Sequence, residues 1–434
     1  MCWRKLIILP LVLLLLMGKG EAKKIDPAEM NFATALISMS SYSAELNLLA
    51  RKWLEDLGWV IDSHEYVTAA ADGRVHILAK QFPDGEQIYV LAFPGTERRR
   101  DALVDLRVTR VPFGGKTPAE FIAAAADTAN KSGAKPLVHQ GFNEYTQAAL
   151  FTEKFPEFGN LTLGEVIARD LRTHKSYTLY LTGHSLGGAA ATLAAARLAD
   201  MGVSPEQLQV ITFGAPAVGN AAFARAYEKR LQLTRITVDG DPVKAALQSL
   251  SGGYEQFGEK VVWSSQLTRF PHDMTLYLDE ALRHYQDSHS ESDKPLLLTG
   301  TAKKTAGPVY VAVPRFKLRG MLETDLPYMQ RVVRGILKSS YQQVVFGKEG
   351  EDIFAAAQSA GAKFVLVERF QGKRIKTEEA NFRLTLEEEI YDETGSLLSF
   401  QSFSTTASNL TPIEIVAYLT MQADKERSEK LAAR

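Results

Sequence analysis

One stretch, Tyr177–Asp200 (YTLYLTGHSLGGAAATLAAARLAD), restricts what this chain can fold into more than any other. Tyr177–Thr182 is rich in aromatic and β-branched residues and reads as a buried strand, and the alanine-rich run from Ala189, free of proline and glycine, reads as a helix. Between them stands Gly183-His184-Ser185-Leu186-Gly187, a G-x-S-x-G turn in the strand-turn-helix setting where such a motif carries chemistry. Gly183 and Gly187 leave room for a turn so tight that Ser185 is expected in a strained backbone conformation with its hydroxyl exposed. Gly188 and Ala189 let the helix begin close against the sheet. A serine needs more than exposure, so the chain must also supply a base, an acid and oxyanion donors.

With 434 residues the chain is long for one domain and points to two or three. A formal net charge of −1 argues against nucleic acid as a partner. Arg4 and Lys5 precede an apolar run, Leu6–Met17, and Gly20-Glu21-Ala22 offers small residues to a signal peptidase. Residues 1–22 are therefore expected to be a signal peptide cut after Ala22. The run falls short of the ~20 residues that span a bilayer, so no stable transmembrane segment is expected to remain, and the product is exported, periplasmic or secreted. The only cysteine, Cys2, leaves with the leader, which excludes disulfides and a cysteine nucleophile. Neither cysteine nor clustered histidine offers a metal site, so no metal or organic cofactor is expected.

From Pro27 to Val60 the apolar residues fall at helical spacing and read as two packing helices. Arg74–Ala79 and Gln87–Phe93 read as strands about the turn signal at 82–86. The second runs into Phe93-Pro94-Gly95-Thr96-Glu97, a turn whose main-chain N–H groups can face a ligand; Thr96 is the candidate oxyanion donor, paired with the N–H of Leu186. Arg107–Leu137 lacks a strong period, and Glu97–Leu137 is expected to be a lid region. Further strands at Gln209–Phe213 and Thr234–Val238, alternating with helices, describe an α/β fold with a mostly parallel sheet and helices on both faces. In such sheets the partners of an elbow serine follow in the order acid, then histidine, at the carboxyl ends of strands. Asp239 and Asp241 both stand just past a strand, and spacing alone hardly separates them. Of the later histidines, His289 lies in a polar run and His284 within a helical pattern, whereas His272 sits in a loop behind Pro271 and is the expected base.

The words FPGT (93–96), DALVDL (101–106), VHQGF (138–142), GHSLGGA (183–189), TFGAPAVGN (212–220), GDPV (240–243) and HDMTLYL (272–278) together resemble the class 3 lipases, the fungal lipase-like branch of the α/β-hydrolases. They span roughly half the chain, in order. The resemblance implies an α/β-hydrolase fold and a serine ester hydrolase acting on lipids, a lipase or phospholipase. It implies Ser185, Asp241 and His272 as triad, with Thr96 and Leu186 as oxyanion hole, and it favours Asp241 over Asp239. Lys244 stands where the family usually has a second proline, and FPGT has proline where arginine is common. The charged stretch Glu97–Val104 implies little activation at an oil interface. Two other readings fit the same words: an esterase for polysaccharide-linked esters, and an envelope scaffold whose hydrolase domain is inactive.

The hydrolase-like domain is expected over 25–286 and a polar linker over 287–308. In 309–434 the pattern restarts as strand, helix, strand, helix, strand, hairpin and a final helix, Pro412–Ala423, with a charged tail. This second, smaller α/β domain resembles small periplasmic domains such as the amino-terminal domain of TolB, which implies an envelope protein partner.

Overall fold

In a computed structural model the described residues are 25–81, 87–96, 109–127, 132–243, 253–265, 267, 270–289, 305–319, 325–375, 382–407 and 410–432. The expected signal peptide, the first part of the expected lid, Lys244 and most of the expected linker lie outside them. The chain divides into two compact units that interleave along the sequence. One is built of residues 34–47 and 58–280, the other of 27–33, 48–57 and the chain from 281 onward.

The first unit is an α/β fold around a seven-stranded sheet. Strands β1 (Val60–Val67), β2 (Asp72–Gln81) and β3 (Gln87–Phe93) form an antiparallel meander. Small two-stranded ribbons follow, β4 (Arg110–Pro112) with β5 (Leu137–His139) and β6 (Lys154–Phe155) with β7 (Leu161–Thr162). From β3 the sheet continues parallel through β8 (Leu179–His184), β9 (Leu208–Phe213), β10 (Gln232–Val238) and β11 (Glu259–Trp263). A sheet covered on both faces needs continuous apolar strands, and β3 and β8 are buried almost throughout.

The helices are, in order, α1 (Pro27–Ser40), α2 (Ala44–Asp56), α3 (Pro118–Ala126), α4 (Gln140–Leu150), α5 (Leu163–Thr173), α6 (Leu186–Asp200), α7 (Ala221–Tyr227) and α8 (Met274–Ser288). Helix α6 is buried from Gly187 to Ala199. Its alanines let it lie close on the sheet, and its one long polar residue, Arg197, is 1% exposed. That guanidinium donates to the Gly114 carbonyl (2.8 Å) and Asn143 Oδ1 (3.0 Å) and lies 3.5 Å from the Phe113 ring centroid and 4.1 Å from that of Phe121. Burial pulls its pKa down to about 10, still far above neutrality. Residues 109–126, within the expected lid, are thus pinned to α6 by a cation between two rings.

In the second unit β12 (Val309–Val311) and β13 (Arg315–Arg319) both run parallel to the long β15 (Phe364–Arg374), β12 on its first half and β13 on its second. Residues 312–314 oppose only 367–368, a bulge that holds Pro314. Helix α9 (Leu326–Ser340) leads to β14 (Val344–Phe346) beside β12, and α10 (Ile353–Ser359) leads back to β15. The antiparallel pair β16 (Phe382–Asp392) and β17 (Leu397–Ala407) completes the sheet, and α11 (Pro412–Ala432) packs across it. Helix α11 runs through what reads in sequence as a charged tail, because Arg427 is a core residue. It is fully buried, with Nη1 3.1 Å from Glu368 Oε1 and 3.1 Å from Glu388 Oε2. Burial pushes the Glu368 carboxyl up to about 7, and Glu388 upward as well. The N-terminal residues of this unit add Phe32, stacked on Tyr285 (5.8 Å) and edge-on to Trp53 (5.9 Å).

Candidate active site

Strand β8 ends at His184 and helix α6 starts at Leu186, so the whole reversal falls on Ser185, at φ 56° and ψ −123°. Among the described residues only Asn160 and Ser185 are non-glycines at positive φ, and such a backbone costs about 1–3 kcal/mol. Packing imposes it. The Ser185 N–H donates to the Phe213 carbonyl (2.9 Å), and α6 lies so near the end of β3 that a Cβ on Gly187 would stand 1.9 Å from the Phe93 carbonyl oxygen.

The serine hydroxyl is not open to solvent as the sequence suggests; Ser185 is 6% exposed. Its Oγ lies 2.9 Å from His272 Nε2, and His272 Nδ1 lies 2.9 Å from Asp241 Oδ2. The exposed Phe270 ring stands edge-on to the His272 ring at 6.4 Å. Asp239 faces outward instead, accepting from the Ser264 hydroxyl at 2.6 Å. Between the two acids that spacing left open, the loop after β10 therefore turns Asp241 inward and Asp239 outward. The Asp241 carboxylate is oriented from both sides. Its Oδ1 accepts from the Val243 N–H (2.8 Å), and its Oδ2 also accepts from the Tyr277 hydroxyl, which itself accepts from the Val238 N–H (3.1 Å). Burial and the adjoining Asp241 hold the Tyr277 phenol protonated and so a donor. Gly214, at φ +56°, leaves the space for this cluster: a Cβ there would meet Asp241 Oδ2 at 2.7 Å, the Tyr277 hydroxyl at 2.9 Å and His272 Nδ1 at 3.0 Å.

Thr96 is half-buried at the end of β3, and Leu186 opens α6, where its N–H has no acceptor within the helix. The two turns touch, since a Cβ on Gly95 would lie 2.6 Å from the His184 carbonyl and 2.4 Å from the Tyr42 hydroxyl. That hydroxyl bonds His184 Nδ1 at 2.5 Å, and the His184 ring stacks at a tilt on His272, centroids 4.5 Å apart. Burial holds His184 well below the usual histidine pKa, with His272 a second cause, so it stays neutral beside the ring that would take up a proton.

Tyr42, His184 and Tyr277 are the residues that reading the sequence passes over. Tyr277 has a detectable signal, a tyrosine five residues after the histidine on the following helix. Tyr42 has none, because it reaches His184 across 142 residues of chain.

Residues 90–248 match the family described as Lipase (class 3). A lipase of Rhizopus niveus is 30% identical over 177 residues, 40% of this chain and 36% of that protein. The solved structure of lipase II from R. niveus aligns with a TM-score of 0.40 at 22% identity, covering 58% of this chain and 85% of that one. A phospholipase A1-II 3 of Oryza sativa is 29% identical over 201 residues (44% and 43%), and a secreted mono- and diacylglycerol lipase 2 of Gibberella zeae is 29% identical over 241 residues (50% and 53%). The chain thus spans between 36% and 53% of the length of these curated relatives. The similarity to the class 3 lipases is thus carried by residues 90–248.

Proposed function

We propose that this chain is an exported serine ester hydrolase acting on lipids, a lipase or phospholipase, with Ser185, His272 and Asp241 as its triad. The observation that carries the reading is the hydrogen-bonded line from Ser185 Oγ through His272 to Asp241, 2.9 Å at each step, with the serine at the head of a helix. Serine donates its proton to His272 Nε2 as Oγ attacks the ester carbonyl carbon. The imidazolium so formed is held by Asp241, which accepts from Nδ1–H. The oxyanion receives the N–H groups of Leu186 and Thr96 near the positive end of the α6 dipole. Collapse breaks the ester C–O bond, and His272 Nε2–H protonates the departing alkoxide. Water then attacks the acyl-serine with His272 as base, releasing the acid and restoring the hydroxyl. A neutral His184 matters here, because a second cation at stacking distance would oppose the imidazolium.

Lipid substrates are favoured by the names of the relatives, which divide between acylglycerol and phospholipid hydrolysis. Export rests on the leader read at residues 1–22; among the described residues no helix is long and apolar enough to cross a membrane. The test is hydrolysis of p-nitrophenyl esters of rising chain length, then of a triacylglycerol emulsion and phosphatidylcholine vesicles, by wild type and Ser185→Ala. Turnover by the wild type, cut by several orders of magnitude in the variant (~10⁶ for a triad serine in one protease), supports it. Equal inertness on all substrates refutes it.

A further inference from the structure

We propose that β17 is the pairing edge of a two-fold dimer of this chain, two copies meeting along Leu397–Ala407 in antiparallel register centred on Ser402. Strand β17 ends the second unit's sheet: among the described residues it pairs with β16 alone. A free edge invites another strand, and soluble proteins blunt such edges with charge, proline, bulges or shortness. The other edges of the two large sheets follow this rule. Strand β1 carries Asp62 and Glu65, β11 carries Glu259 and Lys260, β14 is three residues long, and β13 presents exposed Arg315, Lys317 and Arg319. Strand β17 reads LLSFQSFSTTA, eleven residues without a charge, a proline or a glycine. Its one irregularity, the extra residue Leu398 between the pairs Tyr391–Leu397 and Ile390–Ser399, lies at the hairpin end and leaves Ser399–Ala407 in unbroken register.

The sequence of the edge favours a second copy as occupant. A foreign strand would be selected by charge or by pockets for particular side chains, and β17 offers no charge to read. Pairing with itself sets no like charges opposite one another. Centred on Ser402, the positions from Ser399 to Thr405, regular on both copies, pair throughout: Phe400 faces Ser404 of the second copy, Gln401 faces Phe403, Ser399 faces Thr405, and Ser402 faces its own equivalent. Such a ladder is ~24 Å long and forms about seven interchain main-chain hydrogen bonds. Leu397 and Phe400, each 56% exposed, lie on the sheet face away from α11, beside Tyr391 and the exposed Phe354. An apolar strip on that face gains cover when the sheet is extended.

Sedimentation velocity of the full chain from about 1 to 100 µM is expected to show a concentration-dependent dimer. Ser402→Lys sets two ammonium groups directly opposite and is expected to raise the dimer dissociation constant about tenfold or more, with circular dichroism unchanged. In a Cys2→Ser background, Ser402→Cys is expected to oxidise to a covalent dimer well ahead of Lys317→Cys on the cationic edge of the same sheet; this reading holds even if the lysine variant folds poorly. A monomer throughout the range overturns the proposal and leaves the edge to an extended segment of another protein. A dimer indifferent to Ser402→Lys, or equal crosslinking at 402 and 317, overturns it as well.

Discussion

Replacing Ser185 by glycine removes the proposed nucleophile and is expected to leave the first unit more stable than replacing it by alanine. Both substitutions delete the hydroxyl and its bond to His272, so that loss cancels in the comparison. They differ in the backbone. At φ 56° and ψ −123° a Cβ carries about 1–3 kcal/mol of strain that glycine does not. Glycine in turn costs about 0.5–1 kcal/mol through its freer unfolded chain. The net advantage of Ser185→Gly over Ser185→Ala is therefore about 0.5–2 kcal/mol. At about 2–4 °C per kcal/mol for a unit of this size, that is about 1–8 °C in Tm. Differential scanning calorimetry of both purified variants, with ester hydrolysis confirming that both are inactive, is the assay. An alanine variant that melts with or above the glycine variant would show that the elbow is relaxed, and the reasoning from backbone strain would fail.

Gly214→Ala places a methyl against Asp241, Tyr277 and His272 and is expected to lower kcat at least ~10²-fold, the usual result of ångström misplacement in a catalytic group; near-wild-type kcat would contradict the packing described. Tyr277→Phe leaves Asp241 with one donor fewer and the Val238 N–H without its acceptor, and is expected to cost about 1–3 kcal/mol of stability in urea titration, with kcat falling and KM little changed. Tyr42→Phe takes the bonded hydroxyl from His184 Nδ1 and is expected to cost about 1 kcal/mol with a several-fold fall in kcat, read by the same two measurements. In the second unit the Glu368 carboxyl is raised in the folded state, to about 7, so the native protein holds a proton that the unfolded chain releases near pH 4.5. Its contribution is therefore fully present below about pH 4.5 and is lost as pH rises through 7. Glu368→Gln is expected to flatten that decline between pH 5 and 7.5 in urea titrations followed at the second unit, and an unchanged slope would count against it.

The legible parts of this molecule are those written in short words. The elbow places a strand, a turn and a helix within 24 residues, and local propensity, glycine and alanine content all agree there. That His272 and Asp241 meet Ser185 is foreshadowed by topology, which orders an acid and a histidine after such a serine, although spacing alone does not separate Asp241 from Asp239. What lay out of reach depends on three-dimensional contact. Helical spacing in α1 and α2 shows that they have apolar faces and not which core receives them, so the grouping of 27–33 and 48–57 with the C-terminal unit leaves no mark in the sequence. Arg427 reads as one charge among many in a solvated tail, because the two carboxylates that enclose it come from strands some 40 and 60 residues earlier.

The proposed catalytic cluster is walled largely by main chain. Gly187 stands against the Phe93 carbonyl, Gly95 against the His184 carbonyl, and Gly214 has no room for a methyl between acid and base. For anyone evolving this protein toward a new ester, those positions are closed to search, since saturation libraries there will return inactive clones whatever the substrate. Variation is better placed at Phe270, whose exposed ring stands edge-on to His272 without being part of that frame. A scaffold of this kind separates the machinery from the surface that chooses what enters it, and the two can be altered independently.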